Sequence, residues 1–404
     1  MPKHSLPDWS GAYSEIIDEA IEQLLQKARL RSSVDIFMPL IKSATKRGRK
    51  LRSSLVLRYL DWENFSKSRG EKSFSKGVEE SMKKKTFSKE GEYDISKVTL
   101  LKEGEPYKDL LEGLSAIELL HSASCILDDI IDGDTQRRGV PSFHVREGAP
   151  EAQLVVLETV LLSYYINNPR IRREIIDATR LMLQGEACDS FPFEKFIKLV
   201  WQDITSRDRT SQDRTRNHNC LLDSYVLKTA PSFAVSHKII GIAYELSETE
   251  TTALEKYGHS LGVFYQYAND YHDTFSISPD VRGHSSDTAR VTLSMPLLIA
   301  LSRENDYYNG IIGKPMPRSE ISGLVQKMRD EGIEDEARNL LEQSKLNVLQ
   351  NYPKLANNSL NRSGELLCPD ELLCSDKSFC PDELLGLVDI ISKSDFWSYS
   401  YSNM

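Results

Sequence analysis

Three aspartates in one short segment are the residues of this sequence best suited to chemistry. Asp128, Asp129 and Asp132 lie within five positions, and on an α-helix Asp128 and Asp132 project from the same face, one turn apart. Two carboxylates this close repel each other unless a cation lies between them. Mg²⁺ is typically held by one or two carboxylates together with phosphate oxygens of a substrate. The pattern predicts a metal site for a phosphorylated ligand, and the alternative is a solvated acidic turn.

Basic residues near these aspartates favour the metal site. Arg137 and Arg138 follow Asp132 within six positions, and His121 precedes it on the same helical stripe. Carboxylates, arginines and a histidine near one helix end suit a diphosphate, because a metal contacts one side of it and fixed positive charge the other.

Helices must position these side chains. Leu110, Leu114 and Ile117 begin a stripe at steps of three or four that continues through His121, Ser124 and Asp128 to Asp132, and apolar residues recur in the same way along residues 254–268. Both patterns are those of helices. The same periodicity predicts helices at 14–28 and 44–59. Since no stretch shows the sustained alternation of a strand, we predict an all-α fold.

Composition excludes several classes of protein. Hydrophobic residues make up 40% and charged residues 27% of the 404 positions, which fits neither a disordered chain nor a polytopic membrane protein. The apolar run at 154–162 contains Glu158 and is shorter than the roughly 18–20 residues of a membrane span, so no transmembrane segment is predicted. Pro7 and Asp8 interrupt any signal peptide, which favours a cytoplasmic protein. A net charge of −9 argues against nucleic acid as a partner and leaves room only for a local basic pocket.

The domain organisation predicted is a single domain over residues 1–404 with a flexible insert at 64–109. The insert is rich in Ser, Lys, Glu and Gly and has too few apolar residues to offset the entropy of ordering. Short duplications at 206–215 and 368–385 are interpreted as surface expansions. The cysteines of the second duplication stand six apart, which is too wide for a zinc site.

Residues 117–144, which contain the three aspartates, resemble the first aspartate-rich region of the trans-isoprenyl diphosphate synthases, or polyprenyl synthetases, and geranylgeranyl diphosphate synthases in particular. Further segments resemble other motifs of this family in the same order. They are residues 47–53 (Arg-Gly-Arg-Lys-Leu-Arg-Ser), 184–189 (Gln-Gly-Glu-Ala-Cys-Asp), 225–230 (Tyr-Val-Leu-Lys-Thr-Ala) and 264–273, the second aspartate-rich region.

The resemblance implies a fold, a metal and a set of site residues. The fold is a barrel of helices around a deep apolar cavity, with the two acidic regions facing each other across its mouth, and the protein is a homodimer. Three Mg²⁺ ions hold the allylic diphosphate. The implied metal ligands are Asp128, Asp132, Asn269 and Asp270. The residues that contact the allylic substrate are Arg137, Lys228, Thr229 and Gln266, and Asp128, Asp132, Arg137 and Lys228 are the implied catalytic residues. The residues that bind isopentenyl diphosphate are Arg49, Lys50, Arg52, His121 and Arg138.

The implied activity joins an allylic diphosphate to isopentenyl diphosphate and yields a longer all-trans prenyl diphosphate. Side chains one turn before the first acidic motif set the depth of the cavity in this family, and here they are the small residues Ala123 and Ser124. Geranylgeranyl diphosphate is therefore the expected product. The alternative is a cavity floor formed by a large residue elsewhere, such as Tyr164, Tyr165 or Phe233.

Departures from the family pattern leave two other functions open. Asn269 replaces the first aspartate of the second acidic region, which weakens one metal position and is common in terpene cyclases of the same fold. Ile277, however, stands where the cyclase motif carries a glutamate. A non-catalytic partner subunit is the second alternative, and the retained charges of Asp128, Arg137 and Lys228 argue against it.

Overall fold

The computed structural model describes residues 9–28, 35–46, 50–68, 104–137, 140–190, 225–275, 291, 293–303, 306–312, 314 and 316–353. Nearly all of them are helical. The helices are α1 (Trp9–Ala28), α2 (Phe37–Thr45), α3 (Leu51–Ser68), α4 (Glu105–Asp132), α5 (Phe143–Glu147), α6 (Ala149–Ser163), α7 (Pro169–Ser190), α8 (Ala230–Ala243), α9 (Glu248–Phe275), α10 (Met295–Ser302), α11 (Asp306–Ile311), α12 (Arg318–Asp330) and α13 (Ile333–Gln350). Gln136–Arg137 (β1) and Val140–Pro141 (β2) pair as a short antiparallel ribbon.

The long helix α4 is central, because α1, α3, α6, α7 and α8 all pack against it. Its N-terminal half is almost wholly buried from Leu110 to Leu120. One buried charge, Glu118, accepts hydrogen bonds from the backbone N and the Oγ of Ser53 at 3.2 and 2.8 Å. This contact fixes α3 against α4, since an unpaired buried carboxylate is costly.

Helix α8 is buried almost along its whole length and packs along α9. The predicted stripe on α9, which includes Leu254, Leu261 and Phe264, is buried as expected. The C-terminal half of α4, which is less buried than its N-terminal half, and the C-terminal half of α9 carry the two acidic regions. The all-α prediction is therefore confirmed.

Two sequence predictions differ from the structure in their boundaries. The single helix predicted at 44–59 is two helices, since α2 ends at Thr45 and Lys50 has a φ of +46°, a left-handed conformation that interrupts a helix. The predicted insert at 64–109 is too long at both ends. Residues 64–68 belong to α3, and α4 begins at Glu105, where Pro106 suits the first helical turn and Tyr107 is buried. Residues 69–103 and both duplications lie outside the described residues.

One described helix, α4, has the length and hydropathy of a membrane-crossing segment, and 61% of its most apolar window is buried inside the protein. A mostly buried core helix passes the same test.

Candidate active site

Asp128 lies near the C-terminal end of α4 between two cations. Its Oδ2 accepts a hydrogen bond from Arg137 at 2.8 Å, and its Oδ1 accepts one from Lys228 Nζ at 3.1 Å. Burial tends to raise the pKa of Asp128, but the charges of Lys228 and Arg137 outweigh burial and lower it. The carboxylate is therefore ionised at neutral pH and available to a metal ion.

Asp129, the next residue, holds the other side of the same arginine. Arg137 Nε donates to Asp129 Oδ1 at 2.6 Å, so one guanidinium spans two carboxylates. The Asp129 side chain is only 3% exposed. Burial raises its pKa to about 6 although Arg137 acts in the opposite direction.

The turn after α4 brings Arg137 back to these aspartates. Gly133 has a φ of +67° and ends the helix in the left-handed conformation that glycine adopts without strain. The chain then enters β1, and the pairing of Arg137 with Val140 fixes the strand that carries the arginine. Asp132, the last residue of α4, is half-buried at this corner.

A short turn at residues 225–229 links the two acidic regions. Tyr225 OH donates to Asp270 on α9, Lys228 reaches Asp128 on α4, and Thr229 Oγ1 donates to Gln266 on α9. A segment of five residues thus contacts both acidic regions through three side chains, which brings the predicted allylic-substrate residues together.

Helix α7 supports this turn from behind. A Cβ on Gly185 would lie 2.1 Å from the backbone N of Lys228, so only glycine allows the two backbones to approach this closely. The next residue, Glu186, lies 3.4 Å from Lys228 Nζ through Oε2 and accepts a hydrogen bond from Ser190 at 2.9 Å through Oε1.

The two predicted metal ligands of the second acidic region, Asn269 and Asp270, face different partners. Asp270 is buried and accepts hydrogen bonds through Oδ2 from Tyr225 and from the backbone N of Met295, the latter at 2.8 Å. Asn269 is half-buried, and its amide donates to Asp273 at 3.3 Å. Asn269 is the more accessible of the predicted ligands in this region, whereas Asp270 joins α9 to the start of α10.

Arg52 and His121 are the described members of the predicted isopentenyl diphosphate group that remain partly exposed. Arg52 Nε donates to Ser232 at 2.7 Å, and its guanidinium lies 4.9 Å from the centre of the Phe233 ring. His121, on α4, has its ring 3.8 Å from the Cys125 sulfur. Packing on an aromatic ring holds Arg52 in one orientation.

Lys50 has a different environment from the one expected. Its side chain is 3% exposed and its Nζ lies 2.6 Å from Asp18 Oδ1 on α1. The buried Lys50 side chain therefore ends at a half-exposed carboxylate, and this ion pair joins α1 to the start of α3. Arg49 and Arg138, which the resemblance also implies, lie outside the described residues.

The donor chemistry at the end of α4 fits Mg²⁺. Asp128 and Asp132 offer hard oxygen ligands one turn apart. The side chains of Arg137 and Lys228 now pair with Asp128, and a metal ion would take their place at its oxygens. Within the described residues no three His, Cys, Asp or Glu side chains are grouped to hold a metal alone. A bound Mg²⁺ would complete its coordination with phosphate oxygens and water, as Mg²⁺ commonly does.

Three residues of the site were not assigned roles from the sequence. Asp129 and Tyr225 lie inside recognised motifs, but the sequence does not show their roles. Only the structure shows that Asp129 pairs with Arg137 and that Tyr225 hydrogen-bonds to Asp270. Glu186 also lies inside a recognised motif, but its proximity to Lys228 depends on how α7 packs against the turn.

The fold and the site define an all-α protein in which clustered acidic and basic side chains share one end of the helical bundle. The family model for polyprenyl synthetase matches residues 93–327, more than half of the chain, and the chain belongs to this family. The predicted family is thereby confirmed.

Individual relatives agree with this assignment. The short chain isoprenyl diphosphate synthase of Methanothermobacter thermautotrophicus is 30% identical over 201 residues, which is 48% of this chain and 56% of that protein. The chain spans about half the length of the first curated relatives it matches. Other relatives are named geranylgeranyl and solanesyl diphosphate synthases, so the group includes several product lengths.

Solved structures show the same fold. A decaprenyl diphosphate synthase from Rhodobacter capsulatus superposes with a TM-score of 0.62 at 16% identity, over 95% of this chain and 97% of that one. A polyprenyl synthase from Caulobacter crescentus, complexed with calcium and isoprenyl diphosphate, gives a TM-score of 0.58 at 18% identity, over 87% and 92% of the two chains.

Proposed function

We propose that this protein is a Mg²⁺-dependent prenyltransferase that condenses an allylic diphosphate with isopentenyl diphosphate. The observation that carries the proposal is the position of Asp128 between Arg137 and Lys228. The Asp128 carboxylate can bind a metal ion, and the Arg137 and Lys228 side chains can bind an anion. The three are hydrogen-bonded to one another, and a site for an allylic diphosphate requires both kinds of group.

Each described residue of the site then has a specific role in binding or catalysis. Arg137 and Lys228 bind the allylic diphosphate and stabilise the negative charge that grows on it as the carbon–oxygen bond breaks. Thr229 and Gln266, already hydrogen-bonded to each other, position the same substrate. Bound Mg²⁺, which we propose as three ions on Asp128, Asp132 and Asn269, would add Lewis-acid stabilisation of the leaving diphosphate.

Arg52 and His121 would bind isopentenyl diphosphate beside the allylic substrate. The double bond of isopentenyl diphosphate attacks the allylic carbocation, and the new cation loses a proton to the departing diphosphate. No described residue is required as a separate general base, because the leaving group lies next to the proton.

Geranylgeranyl diphosphate is the product we propose. Ala123 is buried and Ser124 half-buried on α4, one turn before Asp128, and both are too small to close a cavity near the reacting carbons. Tyr165 is 50% exposed and Phe233 packs on Tyr265 with ring centres 5.5 Å apart. The exposure of Tyr165 argues against it as the floor, whereas the buried Phe233 and the partly buried Tyr164 stay the alternative floors of a shorter cavity.

A terpene cyclase is the second candidate, and Asn269 favours it. The amide of Asn269 already donates to Asp273, a pairing that leaves its oxygen free to face a metal. A cyclase requires no second diphosphate, so the partly exposed Arg52 distinguishes the two functions.

One incubation separates the candidates. Purified protein is given Mg²⁺ and farnesyl diphosphate, with and without isopentenyl diphosphate, and extracts are analysed before and after phosphatase treatment. We expect a longer prenyl alcohol only after phosphatase and only with isopentenyl diphosphate. A hydrocarbon formed from farnesyl diphosphate alone would instead establish the cyclase.

We also propose a homodimer that covers the outer face of α6. Leu154, Leu157 and Leu161 form one stripe on this helix and are 52–58% exposed. Three neighbouring leucines on one helix face are seldom left exposed to water unless another surface covers them. Leu157→Glu should shift the protein to a monomer by light scattering. Leu346→Glu on α13, at a leucine that is 52% exposed against 58% for Leu157, should not.

A further inference from the structure

Among the described residues, Lys228 pairs with two carboxylates, Asp128 and Glu186, and Glu186 is not a predicted metal ligand. Its Nζ lies 3.1 Å from Asp128 Oδ1 and 3.4 Å from Glu186 Oε2. Arg137 is shared in the same manner between Asp128 and Asp129. Each cation therefore contacts Asp128 and one carboxylate of its own.

Glu186 is held for this role from two directions. Ser190, one turn later on α7, has its Oγ 2.9 Å from both Glu186 Oε1 and the Glu186 backbone carbonyl, so one hydroxyl proton is shared between these two acceptors, and Glu186 Oε2 faces Lys228. The absence of a side chain at Gly185 lets α7 lie directly against the Lys228 backbone. The Glu186 side chain is only 19% exposed, so water screens it weakly.

We propose that Glu186 is a positioning residue that keeps the Lys228 side chain at the site when Asp128 binds a metal ion. This inference rests on the proposed function. Mg²⁺ must compete with Lys228 and Arg137 for the oxygens of Asp128. A second carboxylate lowers the free energy needed to release Lys228 and keeps its ammonium group at the site, ready for the diphosphate.

Two binding measurements separate a positioning role of Glu186 from a purely structural role, because the loss of its charge affects them differently. Glu186→Gln leaves Lys228 with Asp128 as its anionic partner in the pair, so Mg²⁺ binding should weaken. The same change removes a negative charge next to Lys228, so metal-free binding of an anion should not weaken. A general loss of structure would weaken both.

The experiment measures the binding of inorganic diphosphate by calorimetry, with and without Mg²⁺, together with thermal unfolding. In Glu186→Gln we expect the Mg²⁺ concentration for half-maximal diphosphate binding to rise about two- to fivefold. The metal-free dissociation constant should stay equal or fall. Ser190→Ala, which frees Glu186 without removing its charge, should raise the Mg²⁺ requirement by a smaller factor and decides the question if Glu186→Gln does not fold.

A matched control lies on the same helix. Glu174 on α7 pairs with Lys238 at 2.8 Å, and Glu174→Gln should leave both diphosphate measurements unchanged. An unchanged Mg²⁺ requirement in the folded Glu186→Gln protein, or weaker metal-free binding, would overturn the role of Glu186 alone. If the wild-type protein shows no Mg²⁺-dependent diphosphate binding, the proposed function fails and this inference fails with it.

Discussion

Lys228 and Asp128 are 100 positions apart in the chain, and in the structure their Nζ and Oδ1 atoms are 3.1 Å apart. This hydrogen bond joins the turn before α8 to the acidic end of α4. It unites two sequence motifs that must act on one diphosphate, with Lys228 neutralising the carboxylate until ligands arrive.

Asp128→Asn should lower the turnover number about 100- to 1,000-fold with little effect on folding. The amide keeps the size of the side chain but removes the charge that a metal requires, and the group is partly exposed. Steady-state kinetics with saturating Mg²⁺ and circular dichroism test this. Wild-type turnover in the variant would remove Asp128 from the metal site.

Arg52→Lys should raise the KM for isopentenyl diphosphate about tenfold and leave the KM for the allylic substrate nearly unchanged. Lysine keeps the charge but loses the hydrogen bond to Ser232 and the contact with the Phe233 ring. Arg146→Lys is the matched control, because Arg146 also lies over an aromatic ring, Phe143, at 5.2 Å. Equal effects on both substrates would contradict the assignment of Arg52.

Gly185→Ala should destabilise the protein by about 1–3 kcal/mol and reduce activity by displacing Lys228. The added Cβ would clash with backbone atoms of Leu227 and Lys228. Backbone atoms cannot rotate away as a flexible side chain can, so the helix or the turn must shift. Gly323→Ala, on α12 with open space around it, should instead stabilise by about 0.5–1 kcal/mol. Urea unfolding of both variants checks the contrast, and equal stability of the two would refute it.

His237 should make the protein less stable as the pH falls from 6.5 towards 4. It is fully buried on α8 with its Nδ1 hydrogen-bonded to the carbonyl of Phe233 at 2.9 Å, and burial lowers its pKa from 6.5 to about 4. In this range the unfolded chain binds a proton at His237 that the folded protein does not, so the contribution of His237 alone is a loss of about 3 kcal/mol. Asp129, whose pKa burial raises to about 6, acts in the opposite direction over the same range.

The measurement is the free energy of unfolding in urea at several pH values. His237→Phe should remove the destabilising contribution, so on going from pH 6.5 to 4 the variant should lose less stability than the wild-type protein or gain some, because Asp129 still titrates. His259→Gln, at an exposed histidine on α9, serves as the control and should keep the wild-type slope. An unchanged slope in His237→Phe would assign the pH dependence to other groups.

The sequence predicted the helical class and the residues of the acidic stripes well, for a local reason. Asp128 and Asp132 share a face because helix geometry alone fixes neighbours three or four positions apart. The same reasoning failed between α2 and α3, where Lys50 has a left-handed backbone conformation. No apolar periodicity marks a break of this kind.

The sequence by itself determined which side chains are available and where each lies along its own helix. The tertiary structure alone decided which of them meet. It paired Lys50 with Asp18, placed Glu186 beside Lys228, and connected Asp270 to Tyr225 and Met295. These pairs depend on the packing of separate helices, and a charge far away in the chain leaves no periodic signal of the partner it will reach.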